Sequence, residues 1–357
     1  MISFFDKKLL RPLQLTAMGA DFAGLADFFL NPQRFPVSGV ETYVLLPALV
    51  ALAVSIFTSM GGISGAFLLL PYQVSILNFT SPAVSPTNLV FNIVAIPSGV
   101  YRYLKEGRMN WPVTCMIVLG TLPGLFFGAL IRIRWLLYPA HFKLFVGCVL
   151  LYIGGRLLYD QTPRGKRKKA RIMEFESRVQ QRLREVLQEG RHSPGGALPA
   201  AARVRTASWS LRRVSYKFLG ETFSFSVPAL YALALVVGLI SGTYGIGGGA
   251  IIAPFLVAIF ELPIYTIAGA ALTGTFITSV VGVGIYILLA PFFPQQSVAP
   301  DWALGALFGL GGFLGIYTGA RLQRFLPGTI IRIGLGLIFT ALALRYIVGF
   351  FIRESTW

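Results

Sequence analysis

The sequence predicts an all-α, polytopic integral membrane protein made of two inverted repeats of about four to five helical segments each, with broken or re-entrant helices. Three observations predict it. Charged residues are only 13% of the 357 residues, about half the share of a soluble domain, and mean hydropathy is +0.70. Several apolar runs stay uncharged over about 20 residues, the helix length that crosses a bilayer. Two of these runs are interrupted by a glycine cluster with a proline downstream: Gly61-Gly62-Ile63-Ser64-Gly65 with Pro71, and Gly245-Ile246-Gly247-Gly248-Gly249 with Pro254.

Residues 1–41 contain Lys7, Lys8 and Arg11, but Asp21 and Asp27 interrupt the apolar stretch that follows. That pattern argues against a cleaved signal and leaves an interfacial helix as the reading. The first membrane repeat, 42–159, holds spans near 42–60, 84–104, 112–133 and 138–158, with a short apolar piece at 66–79. A basic insertion follows at 160–222. The second repeat, 223–357, holds spans near 226–244, 265–290, 301–323 and 328–351, with a short piece at 250–262. The short pieces fall below crossing length, which leaves eight to ten full crossings.

The halves align. An offset of 183 places Gly62 on Gly245, Gly65 on Gly248, Pro71 on Pro254, Leu89 on Leu272 and Gly99 on Gly282. After an insertion near 291–298 the offset becomes 191, and Gly120, Gly124 and Gly128 fall on Gly311, Gly315 and Gly319. Small residues every four positions let two helices approach closely, so these ladders read as packing surfaces.

Net charge is +17, and residues 160–221 hold 15 Lys/Arg against 6 Asp/Glu. No groove-reading motif accompanies this charge, so it reads as a cytoplasmic segment under the positive-inside rule and not as a nucleic-acid site. The loop with Arg102, Lys105 and Arg108 is cytoplasmic by the same rule. Its counterpart, 291–300, has no Lys or Arg and reads as external. Corresponding loops on opposite sides are what an inverted repeat requires. Arg132, Arg134 and Lys143 break the rule, since they fall outside. Within the insertion, Ile172, Phe175, Val179, Leu183 and Val186 recur at helical spacing across 170–189. The segment 164–217 reads either as a contact with anionic lipid or as a solvated insertion. Residues 190–208, rich in Pro, Gly, Ala and Ser, read as a flexible linker.

The two breaks are the first candidate site. A helix that starts inside the membrane presents free N–H groups and a positive dipole end. Glycine lets those groups approach a ligand, so Gly62, Ser64, Gly65, Gly245, Gly247, Gly248 and Gly249 form a candidate anion cradle that needs no lysine or arginine. Paired breaks in two halves are the pattern of a secondary transporter. A polar stripe is the second candidate: Ser85, Asn88 and Asn92 share a helical face, with Thr87 beside them, and Thr273, Thr275 and Thr278 stand on the corresponding helix. It reads either as a ligand path or as hydrogen bonding between helices.

No Asp or Glu lies inside a predicted span, and Glu41, Glu261 and Asp301 sit at span ends. Nothing buried would balance a transported cation, which disfavours cation transport. Cys115 and Cys148 lack metal-type spacing, and no HExxH or GxSxG motif occurs, so no metal, cofactor or enzymatic role is expected.

The two glycine breaks with Pro71 and Pro254, together with the segments Val84–Tyr103 and Ile267–Tyr286, resemble the TauE/SafE sulfite exporter family. The resemblance covers about 42–158 and 226–350. It implies a bacterial inner-membrane protein of two related halves that moves small sulfur-containing or carboxylate anions. Ser64 stands where the second half has Gly247, and the insertion is longer than the connection typical of that family. The resulting expectation is a secondary exporter of a small sulfur oxyanion or sulfonate such as sulfite. Uptake of an organic anion, or a membrane scaffold or sensor acting through the insertion, are the alternatives.

Overall fold

The computed structural model describes residues 31–61, 63–105, 107, 109–190, 203–322 and 328–354. A two-stranded hairpin, β1 (Pro32–Arg34) and β2 (Glu41–Tyr43), leads into α1 (Leu45–Gly61) and α2 (Ala66–Ser75). Then come α3 (Val84–Ala95), α4 (Pro97–Lys105), α5 (Trp111–Arg134), α6 (Pro139–Tyr159) and α7 (Pro163–Gly190). A three-stranded antiparallel sheet follows, β3 (Arg205–Trp209), β4 (Arg213–Phe218) and β5 (Glu221–Ser226), in the order β3-β4-β5. The chain continues with α8 (Val227–Tyr244), α9 (Gly249–Phe260), α10 (Ile264–Leu289), α11 (Trp302–Leu322) and α12 (Gly328–Glu354).

The fold is helical, and six of the described helices are long and apolar enough to cross a membrane: α5, α6, α8, α10, α11 and α12. With 10 and 12 residues, α2 and α9 extend about 15 and 18 Å, well short of a bilayer core of about 30 Å. Each follows a glycine break and carries its proline inside. The span expected at 84–104 is two helices, because Pro97 has no N–H to continue the ladder to Ile93.

Helices of the first half pack on helices of the second. Gly120, Gly124 and Gly128 of α5 lie against Tyr231, Leu235 and Leu239 of α8. Gly311, Gly315 and Gly319 of α11 lie against Ala48, Leu52 and Ile56 of α1. Positions rise together in both pairs, so each pair is parallel. Contacts between α6 and α12 run the other way, with Gly147 beside Ala343 and Gly154 beside Gly336. In the centre, Gly99 of α4 meets Leu272 and Gly282 of α10 meets Leu89. At Gly124, Gly128, Gly311 and Gly315 the close contacts place backbone against backbone, where dispersion replaces the missing hydrophobic drive of a lipid environment.

One end of the bundle is closed by the β1–β2 hairpin. Ser38 donates to Asp301 Oδ2 from both N (3.1 Å) and Oγ (2.8 Å), and Ser297 Oγ donates to the Val37 carbonyl at 2.8 Å. Arg132 lies at this end and accounts for one of the three exceptions to the charge rule: it is fully buried and not a loop charge, whereas Arg134 is exposed. Its guanidinium donates to the carbonyls of Thr80 (2.9 Å), Ser81 (3.0 Å) and Leu136, and stacks 3.7 Å from the Phe142 ring centroid.

The opposite end carries the insertion. Strand β3 occupies the last part of the stretch read as a linker, so that reading fails for 205–208; residues 191–202 lie outside the described residues. Phe175, Val179 and Val186 of α7 pack in one apolar cluster with Val214, Tyr216, Phe218 and Phe225 of the sheet. The helical stripe predicted in the insertion therefore covers a sheet; the side chains of Ile172 and Leu183 lie outside the described residues.

Candidate functional site

Both breaks converge on α3. The Asn88 amide on α3 donates from Nδ2 to the carbonyl of Ala66, the first residue of α2, at 3.1 Å. The same nitrogen donates to the carbonyl of Gly245 at 3.0 Å. Gln73 of α2 donates to Asn88 Oδ1 at 3.3 Å and fixes the amide orientation. One turn further on, Asn92 Nδ2 donates to the Ile246 carbonyl (2.9 Å) and to Ser279 Oγ (3.3 Å). Ser85 Oγ donates to the Thr243 carbonyl at 2.8 Å. The stripe Ser85-Asn88-Asn92 thus reads the carbonyls that the broken helix α8 leaves without intrahelical partners. Tyr244 Oη closes the arrangement by donating to the Phe67 carbonyl at 2.8 Å.

The two breaks are built differently. At the first, Ser64 Oγ accepts from Ala66 N at 3.3 Å, and the next N–H groups donate to the carbonyls of Ser64 and Gly65. At the second, Gly245 (φ +85°) and Gly247 (φ +78°) take the left-handed conformation that a side chain disfavours. Gly248 N donates to Thr278 Oγ1 at 2.9 Å. A Cβ at Gly249 would collide with the Ala271 carbonyl, and one at Gly247 would sit 2.6 Å from the Thr275 side chain. Gly65 faces Ser55 Oγ, 2.8 Å from where its own Cβ would be. Gly62 lies outside the described residues.

The sequence-predicted residues divide accordingly. Ser64, Gly65, Asn88, Asn92, Gly245, Gly247, Gly248, Gly249 and Thr275 meet around the breaks. Thr87 does not join them: its hydroxyl donates to the Ala83 carbonyl at 2.7 Å and accepts from Asp301 N at 2.9 Å. Thr273 faces Met109, with Oγ1 3.5 Å from the sulfur. Gln73, Ser55 and Ser241 belong to the centre and were not singled out. Gln73 is detectable in the sequence as one of two amides, with Asn78, in the apolar piece 66–79, since polar groups in lipid need a partner.

Four buried polar atoms in this region have no hydrogen-bond partner among the described residues: Ser55 Oγ, Gln73 Oε1, Asn92 Oδ1 and Ser241 Oγ. Each such atom costs about 1–3 kcal/mol unless something supplies a bond. The set offers two hydroxyls, which can donate or accept, and two amide oxygens, which only accept. No three His, Cys, Asp or Glu side chains come together as metal ligands among the described residues.

Comparison with known proteins agrees with this architecture. No curated protein and no solved structure is matched. The family model described as "Sulfite exporter TauE/SafE" matches residues 47–346, which include both breaks, both glycine ladders and the insertion. The chain is therefore a multi-pass membrane protein that belongs to the TauE/SafE family, a family of polytopic anion transporters.

Proposed function

We propose that this protein is a secondary transporter that exports a small sulfur oxyanion or sulfonate, such as sulfite, across a bacterial inner membrane by alternating access. The observation that carries the reading is the group of unpartnered buried polar atoms around two glycine breaks. A polar ligand entering between the breaks would supply bonds to these atoms, whose burial otherwise costs free energy. Family membership supports an anion as that ligand.

The two halves act as inverted repeats. Support comes from contacts that repeat under the sequence offsets: Gly120 on Tyr231 corresponds to Gly311 on Ala48, and Gly99 on Leu272 corresponds to Gly282 on Leu89. In the mechanism, α1 with α11 and α5 with α8 move as close-packed units around the central α3 and α10. The anion replaces protein bonds at the breaks, first from one side and then from the other. A monovalent anion leaving a cell that is negative inside gains about 2.3 kcal/mol per 100 mV, a bias of about fifty-fold, so voltage alone suffices to drive export.

Exposed Trp209 and Leu211, flanked by Arg205, Arg212 and Arg213, support a contact with anionic lipid within 164–217. The turn that carries them adjoins the first residue of α8, where Val227 N donates to the Arg212 carbonyl at 3.1 Å.

Efflux from liposomes at a clamped potential tests the reading, with sulfite, thiosulfate, a small sulfonate and acetate compared. Selective, voltage-sensitive efflux of one sulfur anion is expected. Preference for acetate would favour an organic-anion permease. No flux of any anion from folded protein would favour a scaffold or sensor acting through the insertion.

A further inference from the structure

We infer that the cleft between α7 and the β4–β5 hairpin binds a small organic anion, one acidic group on an apolar body, and that its occupancy acts on the first turn of α10. The cleft has a volume of about 350 Å³, within the range of small-molecule sites. Phe175, Val179, Phe218 and Phe223 form its apolar wall, and Arg178 and Arg182, one turn apart on α7, stand at its polar side.

The charges in the cleft are unequally engaged. Arg182 pairs with Glu221 at 2.5 Å, a bridge from helix to hairpin. Glu185 accepts from Gln181 at 3.3 Å. Among the described residues no carboxylate pairs with Arg178. A guanidinium with no carboxylate partner among the described residues, beside an aromatic wall, suits a carboxylate or sulfonate attached to an apolar group. A bare inorganic oxyanion has nothing to cover three phenylalanines, so this occupant differs from the exported oxyanion.

The cleft is wired to the membrane helices. Phe218, part of its wall, stacks on Tyr265 with ring centroids 5.2 Å apart and planes at 22°. Tyr216 Oη and Thr266 Oγ1 are 2.8 Å apart, and Glu176 of α7 accepts from Ile264 N at 2.7 Å. Three successive residues at the start of α10 are therefore held by α7 and β4, the elements that flank the cleft, one of them by the cleft-lining Phe218 itself. The same helix carries Thr275, Thr278 and Ser279, which touch the second break. An occupant that spreads α7 from the hairpin displaces these contacts together.

The test is titration of the full chain in zwitterionic-lipid nanodiscs with benzenesulfonate, read by saturation-transfer NMR and by the unfolding midpoint. Saturable binding is expected, with no binding of the neutral benzenesulfonamide. Arg178→Gln should weaken binding about tenfold, the value of one charge-assisted hydrogen bond. Glu221→Gln should tighten it by releasing Arg182, a gain that misfolding cannot imitate. Equal binding in Arg178→Gln, equal binding of the sulfonamide, or no saturable binding would each overturn the site. The effect on α10 rests on the transport reading: benzenesulfonate should alter sulfite efflux by the wild type and not by Arg178→Gln. Unaltered efflux from active protein overturns the coupling, whereas absent efflux with intact binding counts against the transport reading alone.

Discussion

The Asn88 side chain donates a 3.0 Å hydrogen bond to the Gly245 carbonyl, and through the same nitrogen it also holds Ala66 at 3.1 Å. One amide on α3 thereby ties together the two places where membrane helices stop. Those carbonyls have lost their helical donors, and no bulk water reaches the bilayer core to replace them. The bond is structural as it stands, and under the proposed mechanism it is also a bond that the transported anion replaces.

Asn88→Leu removes the donor and leaves both carbonyls unpaired. The expected cost is about 1–3 kcal/mol in stability, with efflux lost. Asn88→Asp keeps the shape and presents acceptors to acceptors, so it should abolish efflux as well. Detergent-solubilised unfolding midpoints and liposome flux check this pair. Wild-type efflux in both variants would remove Asn88 from the mechanism.

The glycine ladders predict a matched response in the two halves. A Cβ at Gly124 would collide with the Leu235 carbonyl, and one at Gly315 would sit 2.5 Å from the Leu52 carbonyl. Gly124→Ala and Gly315→Ala should each lower stability by about 1–3 kcal/mol through overpacking. Gly284 lies within α10 and has open space around its Cβ position. Gly284→Ala should therefore be neutral or slightly stabilising. Unequal effects at Gly124 and Gly315 would count against equivalent packing of the two pairs.

Much of this arrangement was legible in the sequence, for physical reasons. Apolar length fixes spans, and glycine with proline marks where a span breaks, so α1, α2, α8 and α9 fall where expected. The i, i+3, i+7 spacing of Ser85, Asn88 and Asn92 put them on one face, and one face is what meets the second break. Composition misled in the insertion. Val214, Tyr216 and Phe218 alternate with Ser215 and Lys217, a strand period that charge counting obscures. Leu219 (φ +52°) and Gly220 (φ +79°) then form the two-residue turn of a hairpin. Thr87 and Thr273 were grouped with the site by residue type, but their partners, Asp301 and Met109, are distant in sequence and carry no local signature.

By sequence Arg132 is one of three charges that break the positive-inside rule, and its burial gives it a prediction of its own. Arg132→Met preserves much of the volume and the packing on Phe142, yet strips donors from Thr80, Ser81 and Leu136. Loss of about 1–3 kcal/mol is expected from the stranded carbonyls. Arg132→Lys should recover only part, because a point charge cannot reach three carbonyls in the guanidinium plane. Unfolding midpoints of the two variants decide it; a fully stable Arg132→Met would show that the carbonyls find other donors.

Glu176 sets a pH dependence on the docking of α7 against α10. Burial raises its carboxyl above the ordinary glutamate value, and the hydrogen bond from Ile264 N opposes the rise only in part. A carboxyl with a raised folded pKa binds its proton more tightly when docked than when undocked. Its contribution is therefore fully present below the undocked pKa and is lost as pH rises through the docked one. Docking should be firmest in mild acid and loosen above the ordinary glutamate range. Glu176→Gln still offers an acceptor to Ile264 and has no proton to lose, so it should flatten the dependence. Amide exchange across α7 and the first turn of α10, compared between wild type and Glu176→Gln at about pH 5 and pH 8, reads the difference with intrinsic exchange rates cancelled. Protection that tracks the variant at both pH values would show that Glu176 does not control the contact.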